Sequence, residues 1–108
     1  MTNEEFNKIA QGRLKEVVDR MVKKGKEYAS GEDRLSNIRT TSFLCKNTMP
    51  EVCFNFMSKH IISVRDMVQD RKDYPMDVWI EKLGDIIVYC LLTEACVFEA
   101  KTKERHEP

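Results

Sequence analysis

The sequence lacks an excess of charge of either sign. Its 108 residues include 18 Lys and Arg residues and 18 Asp and Glu residues, so the formal net charge is zero. Proteins that bind duplex nucleic acid without sequence preference need a net basic surface, because they neutralise backbone phosphates. The charge balance argues against duplex nucleic acid as a partner. A small anionic ligand stays open, since a few local Lys and Arg residues suffice to bind one.

The sequence also lacks a recognisable cysteine motif. Its four cysteines, at positions 45, 53, 90 and 96, form no CxxC pair, and its two histidines do not fall at zinc-finger spacing. Cys53, Cys90 and Cys96 have apolar neighbours along the chain, which is typical of reduced cysteines in a protein core. We therefore expect reduced core cysteines rather than a zinc site.

No apolar run is long enough to cross a membrane. The longest run covers residues 86–92, whereas a membrane-spanning helix needs about 20 apolar residues. The N-terminal residues Met-Thr-Asn-Glu-Glu are polar and acidic, unlike a signal peptide. These features predict a soluble cytoplasmic protein that has no membrane partner.

The sequence does contain strong helical periodicity, and no useful segment alternates at period two. We predict a first helix over residues 3–25, because apolar residues from Phe6 to Val22 recur at helical spacing and Gly25 is a plausible stop. A short helix follows, in which Leu35 and Ile38 face the core. The predicted core of the domain covers about residues 3–101, followed by a flexible tail over residues 102–108.

Thr48, Pro50 and Glu51 form a pattern typical of a capping box at the start of a third helix, which we predict to end near residue 70. This helix is expected to bury Cys53, Phe54, Met57, Ile61, Val64 and Met67 or Val68. A last helix is predicted from residue 76 towards residue 101. The predicted fold is therefore all-α: a single domain of three main helices and a short one.

The last helix is apolar almost all round over residues 86–92. A helix of this kind is covered on several sides. In so small a chain, we expect the extra cover to come from another subunit, in a homodimer or homotetramer.

Glu81 and Asp85 are the most informative polar pair in the chain. They lie four residues apart near the start of the last helix, so they share a face and repel each other. A divalent metal held by oxygen ligands would offset that repulsion, and so would full solvation. Tyr89 continues the same stripe, and Lys82 beside it is placed to neutralise one carboxylate. Trp79 is interpreted as a packing residue rather than a platform for a nucleobase.

Two further polar groups are candidates for chemistry. The connection after the first helix carries Lys26, Tyr28, Arg34 and Asn37; it is either a solvated turn or a site for phosphate recognition by cations. On the third helix, Lys59, Ser63 and Asp66 share a face and His60 borders it. A lone histidine is more often a hydrogen-bonded structural residue, but in this company it becomes a candidate site residue.

The chain resembles a known protein family in several of its motifs. Residues 26–37 resemble the Lys-x-Tyr-x-Ser-x-Glu-Asp-Arg-x-x-Asn stretch of small, mostly phage-borne proteins called nucleotide modification associated domains. Lys59-His60, Ser63 and then Trp79-x-Glu81-Lys82-x-x-Asp85-x-x-x-Tyr89 continue that pattern in the same order. The match covers about residues 26–94. It implies a protein of nucleotide metabolism in a bacterial cell or a phage-infected host cell.

That family is in turn similar to the MazG-like all-α nucleoside triphosphate pyrophosphohydrolases. The resemblance implies a nucleotide substrate, a dimer or tetramer, and Mg²⁺ as cofactor, held by Glu81, Asp85 and Asp66. It further implies that His60 moves a proton and that other polar side chains contact the substrate: Lys26, Tyr28, Arg34, Asn37, Lys59, Ser63 and Tyr89.

The sequence departs from the MazG-like pattern in two places. Lys82 stands where a second Glu is usual, and the third helix has no Glu-Glu-x-x-Glu run. Three functions therefore stay open: a Mg²⁺-dependent hydrolase, a nucleotide-sequestering or regulatory protein that does not catalyse, and a helical interaction module without a small ligand.

Overall fold

The computed structural model describes residues 1–28 and 31–106. Over these residues the chain forms four helices and no strand: α1 (Asn3–Tyr28), α2 (Ser36–Cys45), α3 (Met49–Asp70) and α4 (Met76–His106). The predicted all-α fold, with three main helices and one short helix, is confirmed. In the described part of the chain, no helix is both long and apolar enough to span a membrane.

Local hydrogen bonds explain where the helices begin. At α3, the Glu51 N–H donates to the Thr48 hydroxyl at 3.2 Å and the Thr48 N–H donates to the Glu51 carboxylate at 3.0 Å. The predicted capping box is thus confirmed. Thr2 and Glu5 make the same reciprocal pair at the start of α1, at 3.0 and 3.1 Å.

Two predicted helix ends differ from the structure. Helix α1 continues through Gly25 to Tyr28, so the predicted stop at Gly25 is wrong. Glycine ends a helix mainly by adopting a left-handed conformation, and no glycine has a positive φ in the described residues. Helix α4 runs on to His106. Residues 102–106 of the predicted tail therefore belong to this helix, and residues 107 and 108 lie outside the described residues.

Helices α3 and α4 form an antiparallel hairpin that contains most of the core. Cys53 packs against Cys96, and nearer the other end His60 packs against Tyr89 and approaches Asp85. Helix α2 covers one end of this hairpin. Leu35, just before α2, and Ile38, within α2, pack against residues of the hairpin. Together they form a core cluster: Leu35, Ile38, Val52, Cys53 and Cys96. Leu35 and Ile38 face the core as predicted.

The predicted burial of α3 is only partly correct. Cys53 and Met67 are buried, but Phe54, Ile61 and Val68 are 58%, 44% and 63% exposed. Among the described residues, α4 is the main neighbour of α3 and the short α2 is a smaller one. Phe54, Ile61 and Val68 recur every seventh residue along a flank of α3 that these two helices leave exposed. All four cysteines are free thiols. Cys53 and Cys96 are buried as expected, whereas Cys90 is exposed and the prediction that it lies in the core is wrong.

Helix α1 runs beside α4 in the same direction. Arg13 donates a hydrogen bond to the carbonyl oxygen of Ile80 at 3.2 Å, and one turn later the buried Val17 packs against Gly84. Gly84 has no side chain, which allows the two helices to approach closely. This pairing places one face of α1 opposite the start of α4, and it forms the wall of the pocket described next.

Candidate functional site

A pocket of about 490 Å³ lies between α1, α2 and the α3–α4 hairpin. This volume is within the range of small-molecule binding sites. The pocket combines charged groups near α1 with apolar and aromatic groups from the other helices. Its lining comprises Arg13, Glu16, Val17, Arg20, Met21, Lys24, Arg34, Asn37, Ile38, Thr41, Phe56, His60, Ile80, Gly84, Asp85, Val88, Tyr89 and Leu92.

Three of the four cations that line the pocket come from α1. Arg13, Arg20 and Lys24 are spaced seven and four residues apart, so they form one stripe along the helix. The fourth cation is Arg34, which precedes α2. Sequence reasoning missed the α1 cations, although their spacing matches that of Val17 and Met21 on the same face. The helical spacing that the three cations share with the apolar Val17 and Met21 is the sequence signal that places them on the pocket-lining face of α1.

Two of these cations are already paired with carboxylates. Arg13 forms an ion pair with Glu16, and an Arg20 guanidinium nitrogen lies 3.7 Å from a carboxylate oxygen of Glu81. Arg20, rather than the predicted Lys82, is therefore the cation beside Glu81. Within residues 1–28 and 31–106, Lys24 has no ion-pair partner, and the same holds for Arg34.

The opposite wall of the pocket is aromatic. The rings of His60 and Tyr89 are stacked, with centroids 5.2 Å apart and an interplanar angle of 27°. Phe56 extends this wall, with its centroid 6.2 Å from that of Tyr89. A His60 ring nitrogen, Nδ1, lies 3.7 Å from an Asp85 carboxylate oxygen, which is beyond hydrogen-bond length. The wall thus presents three rings, of which two are stacked and the third is tilted by 50° from Tyr89, with the Asp85 carboxylate at its edge.

The pocket brings together five of the residues predicted from sequence. Arg34, Asn37, His60, Asp85 and Tyr89 all line it. Glu81 is not in the lining, but it is tied to the pocket through Arg20. Residues from the connection, the third helix and the fourth helix therefore line one pocket.

Other predicted residues lie elsewhere. Lys26 is exposed, Ser63 is half-buried, and neither lines the pocket. The Lys59 ammonium lies over the ring of Phe56, 5.9 Å from its centroid, outside the lining residues. The side chain of Tyr28 and the whole of Ser30 are outside the described residues. Trp79 makes an edge contact with Tyr74, as expected of a packing residue.

Asp66 is the clearest case of a predicted site residue that the fold separates from the others. It is exposed and pairs with Arg65 at 3.2 Å. It follows His60 by six residues, which is about 240° around the helix axis, so the two cannot face the same pocket. Among the described residues, no group of three or more His, Cys, Asp or Glu side chains is arranged to hold a metal ion.

No protein-family model, no curated protein and no solved structure matches the chain. The resemblance to nucleotide modification associated domains therefore stays an expectation from the motif residues. The residues that line the pocket are therefore the observations that bear on function.

Proposed function

We propose that the protein binds a nucleotide, or a related phosphorylated small molecule, in the pocket between α1 and the α3–α4 hairpin. The observation that carries this proposal is the opposition of two chemically different walls. Arg13, Arg20, Lys24 and Arg34 supply positive charge on one side, whereas Phe56, His60 and Tyr89 supply ring surface on the other. A nucleotide has the same division, with an anionic phosphate chain at one end and a flat base at the other.

The aromatic wall suits the base because every base has a flat face that can stack without regard to sequence. Stacking of one base on an aromatic side chain is worth about 1–3 kcal/mol. Apolar side chains around the stack exclude water from the ring and favour its burial: Val17, Met21, Ile38, Val88 and Leu92. Asn37 adds an amide, which can both donate and accept hydrogen bonds with a base or a sugar.

A second candidate is Mg²⁺-dependent hydrolysis of a nucleoside triphosphate to a monophosphate and pyrophosphate. The observation in its favour is that Asp85 lines the pocket while Glu81, four residues earlier, is tied to it through Arg20. Two carboxylates are a small ligand set, but Mg²⁺ is commonly bound by one or two carboxylates together with substrate phosphates. The residues therefore fit Mg²⁺ in the company of a bound triphosphate. The ion would neutralise phosphate charge and activate a water molecule.

The two candidates share a binding experiment and differ in its outcome. Calorimetry would be performed with the four ribonucleoside and four deoxyribonucleoside triphosphates, in Mg²⁺ and in EDTA. Binding in both solutions, without release of pyrophosphate, supports a binding protein. Pyrophosphate release by the wild type that is lost in Asp85→Asn supports the hydrolase. If none of the eight nucleotides binds under either condition, nucleotide binding is wrong.

We also propose that the protein assembles with a second copy of itself. Leu14, Val18 and Val22 recur every fourth residue on α1 and are 51%, 42% and 51% exposed. The radius of gyration is 16.5 Å, whereas a compact domain of this length has about 13 Å. An elongated chain with an apolar stripe buries that stripe most simply against an identical stripe, through a twofold axis.

Sedimentation equilibrium tests this assembly. We expect a mass of at least twice the 12.7 kDa of the chain. Val18→Glu should return the mass to that of one chain, since a charge would be placed within the stripe. Lys23→Glu is the control, because Lys23 is an exposed residue of the same helix that lies about 140° around its axis from Val18. A wild type that stays a monomer at 0.1 mM contradicts the proposal.

A further inference from the structure

We propose that Gly25 positions Arg34 beside Lys24, and that these two cations hold the phosphate groups of the bound molecule without a metal ion. The inference rests on the proposed function, since it assigns the phosphate end of the same pocket. It concerns Lys24 and Arg34, the two lining cations that lack a carboxylate partner in the described part of the chain.

Gly25 is in contact with the side chain of Arg34. It is buried, and it lies inside α1, three residues before the helix ends. A Cβ atom on Gly25 would lie 2.6 Å from Arg34 Nε, 3.1 Å from Cδ and 3.4 Å from Cζ. The guanidinium therefore lies directly on the bare backbone of the helix, in space that any other residue would occupy.

The second glycine of α1 has no such role, which makes it an internal control. A Cβ atom on Gly12 would meet nothing within 4 Å. Glycine is unfavourable inside a helix at both positions, because it costs backbone entropy and exposes the backbone to water. Only at Gly25 does a neighbour use the missing side chain. The loss of helix stability that a glycine causes at position 25 is therefore accompanied by space for the Arg34 side chain.

The charges around Lys24 and Arg34 favour an anion. Arg13 is paired with Glu16 and Arg20 with Glu81, so their charge is partly cancelled before any ligand arrives. Lys24 and Arg34 have no such partner in the described residues, and together they match the two negative charges of a phosphate group. A guanidinium adds parallel N–H groups that fit phosphate oxygens in a forked geometry.

The position of this pair also separates it from the acidic residues. Lys24 lies one helical turn beyond Arg20, the cation nearest Glu81, and this is a displacement of about 6 Å along α1. We expect Lys24 and Arg34 themselves, rather than Mg²⁺, to neutralise phosphates held at this end of the pocket. The inferred ligand class is therefore a molecule with exposed phosphate groups, bound in its metal-free form.

The experiment measures the binding of inorganic pyrophosphate in EDTA by isothermal titration calorimetry. Pyrophosphate carries the phosphate groups without a base, so its binding reports on this end of the pocket alone. We expect the wild type to bind it, and Gly25→Ala and Arg34→Gln each to weaken binding roughly 10-fold or more, since a hydrogen bond to a charged group is lost. Gly12→Ala should bind as the wild type does.

A double variant distinguishes positioning from a general disturbance of the helix. If Gly25 acts through Arg34, then Gly25→Ala combined with Arg34→Gln should bind no more weakly than Arg34→Gln alone. Full additivity of the two effects would overturn the positioning role. Gly25→Ala is expected to fold, because the atoms it displaces belong to a flexible side chain. If it does not fold, Lys24→Gln and Arg34→Gln still test the cation pair.

Two results overturn the inference while leaving nucleotide binding intact. One is wild-type protein that binds nucleoside triphosphates but binds pyrophosphate only when Mg²⁺ is present. The other is pyrophosphate binding that is equal in the wild type, Lys24→Gln and Arg34→Gln. Wild-type protein that binds neither pyrophosphate nor any nucleoside triphosphate overturns the proposed function as well.

Discussion

The sulfur atoms of Cys53 and Cys96 lie 3.7 Å apart, between α3 and α4. They are the two most completely buried side chains of the described residues, at 0% and 2% exposure. Burial, and after it the hydrogen bond with Cys53, together raise the pKa of the Cys96 thiol to about 12. The Cys96 thiol is therefore held in its protonated form, and both thiols of the pair are buried, unlike the exposed Cys45 and Cys90.

We predict that only two of the four cysteines react in the folded protein. Cys45 and Cys90 are exposed, whereas Cys53 and Cys96 are buried, and alkylation requires an accessible thiolate. Treatment with iodoacetamide at pH 8 should add two groups per chain, as measured by mass spectrometry. The same treatment in urea should add four, which is the control. Rapid addition of three or four groups to the folded chain would contradict this account of the core.

The second prediction concerns stability at alkaline pH. The pKa of Cys96 is raised from 9.0 to about 12 in the folded chain, so folding favours the protonated thiol. The resulting stability is fully present below pH 9, and it is lost progressively as the pH rises towards 12. The urea midpoint of the wild type should fall over this interval.

Cys96→Ala is the matched variant for the alkaline prediction. It should be less stable at pH 7 by about 1–3 kcal/mol, because it leaves a cavity in the core. It should also lose less stability than the wild type between pH 9 and pH 11. An equal loss in both proteins would show that other groups control the alkaline transition.

The third prediction concerns Arg39, which ties α2 to α4. Its guanidinium donates to both carboxylate oxygens of Glu99, at 2.7 and 3.1 Å, and also to Asp33. Arg39→Gln should lower the free energy of unfolding at pH 7 by about 1 kcal/mol, a small value because the network is open to solvent. Arg65→Gln is the control, since within the described part of the chain Arg65 pairs only with its sequence neighbour Asp66.

The loss of stability caused by Arg39→Gln should depend on pH in the acidic range. The Arg39 guanidinium holds the pKa of Glu99 below 4.5 and that of Asp33 below 3.8. These lowered values give stability that is present above the ordinary pKa and is lost as the pH falls through the folded one. The difference between wild type and variant should therefore shrink at pH 2. A difference that is the same at pH 7 and pH 2 would contradict the ion-pair explanation.

The fourth prediction concerns Gly84, where α1 meets α4. A Cβ atom there would lie 3.6 Å from Val17 and 3.9 Å from Arg13, which are ordinary contact distances. Gly84→Ala should therefore fold, and its better helix propensity should raise the free energy of unfolding by up to about 1 kcal/mol. Gly84→Leu should push α1 away from α4 and abolish binding to the pocket. Gly12→Leu, with open space around it, should retain binding.

The elements of this fold could be predicted because their signals are local. The Thr48–Glu51 capping box lies within four residues of sequence, and both partners are visible there. The predicted stop at Gly25 is wrong because this glycine keeps a helical backbone and lies against the side chain of Arg34, nine positions later in the sequence. Local patterns cannot reveal a contact of this kind.

The candidate site could be predicted only in part, for a related reason. Asp85 and His60 were found because acidic and histidine residues are conspicuous on apolar helices. Arg13 and Arg20 were missed, since arginines on a surface helix are ordinary until a second helix is known to face them. Asp66 was misplaced because i+4 and i+7 spacing shows which residues share a face, but not which face meets a pocket.

The contact between α1 and α4 has a consequence for how the molecule is made. Arg13 and Ile80 are separated by 67 positions, so α1 leaves the ribosome long before the helix it packs against has been synthesised. The α3–α4 hairpin closes a much shorter loop and can form without α1. The pocket therefore cannot assemble before α4 has been made, and a chain that stops short of α4 has α1 but lacks both the α3–α4 core and the pocket.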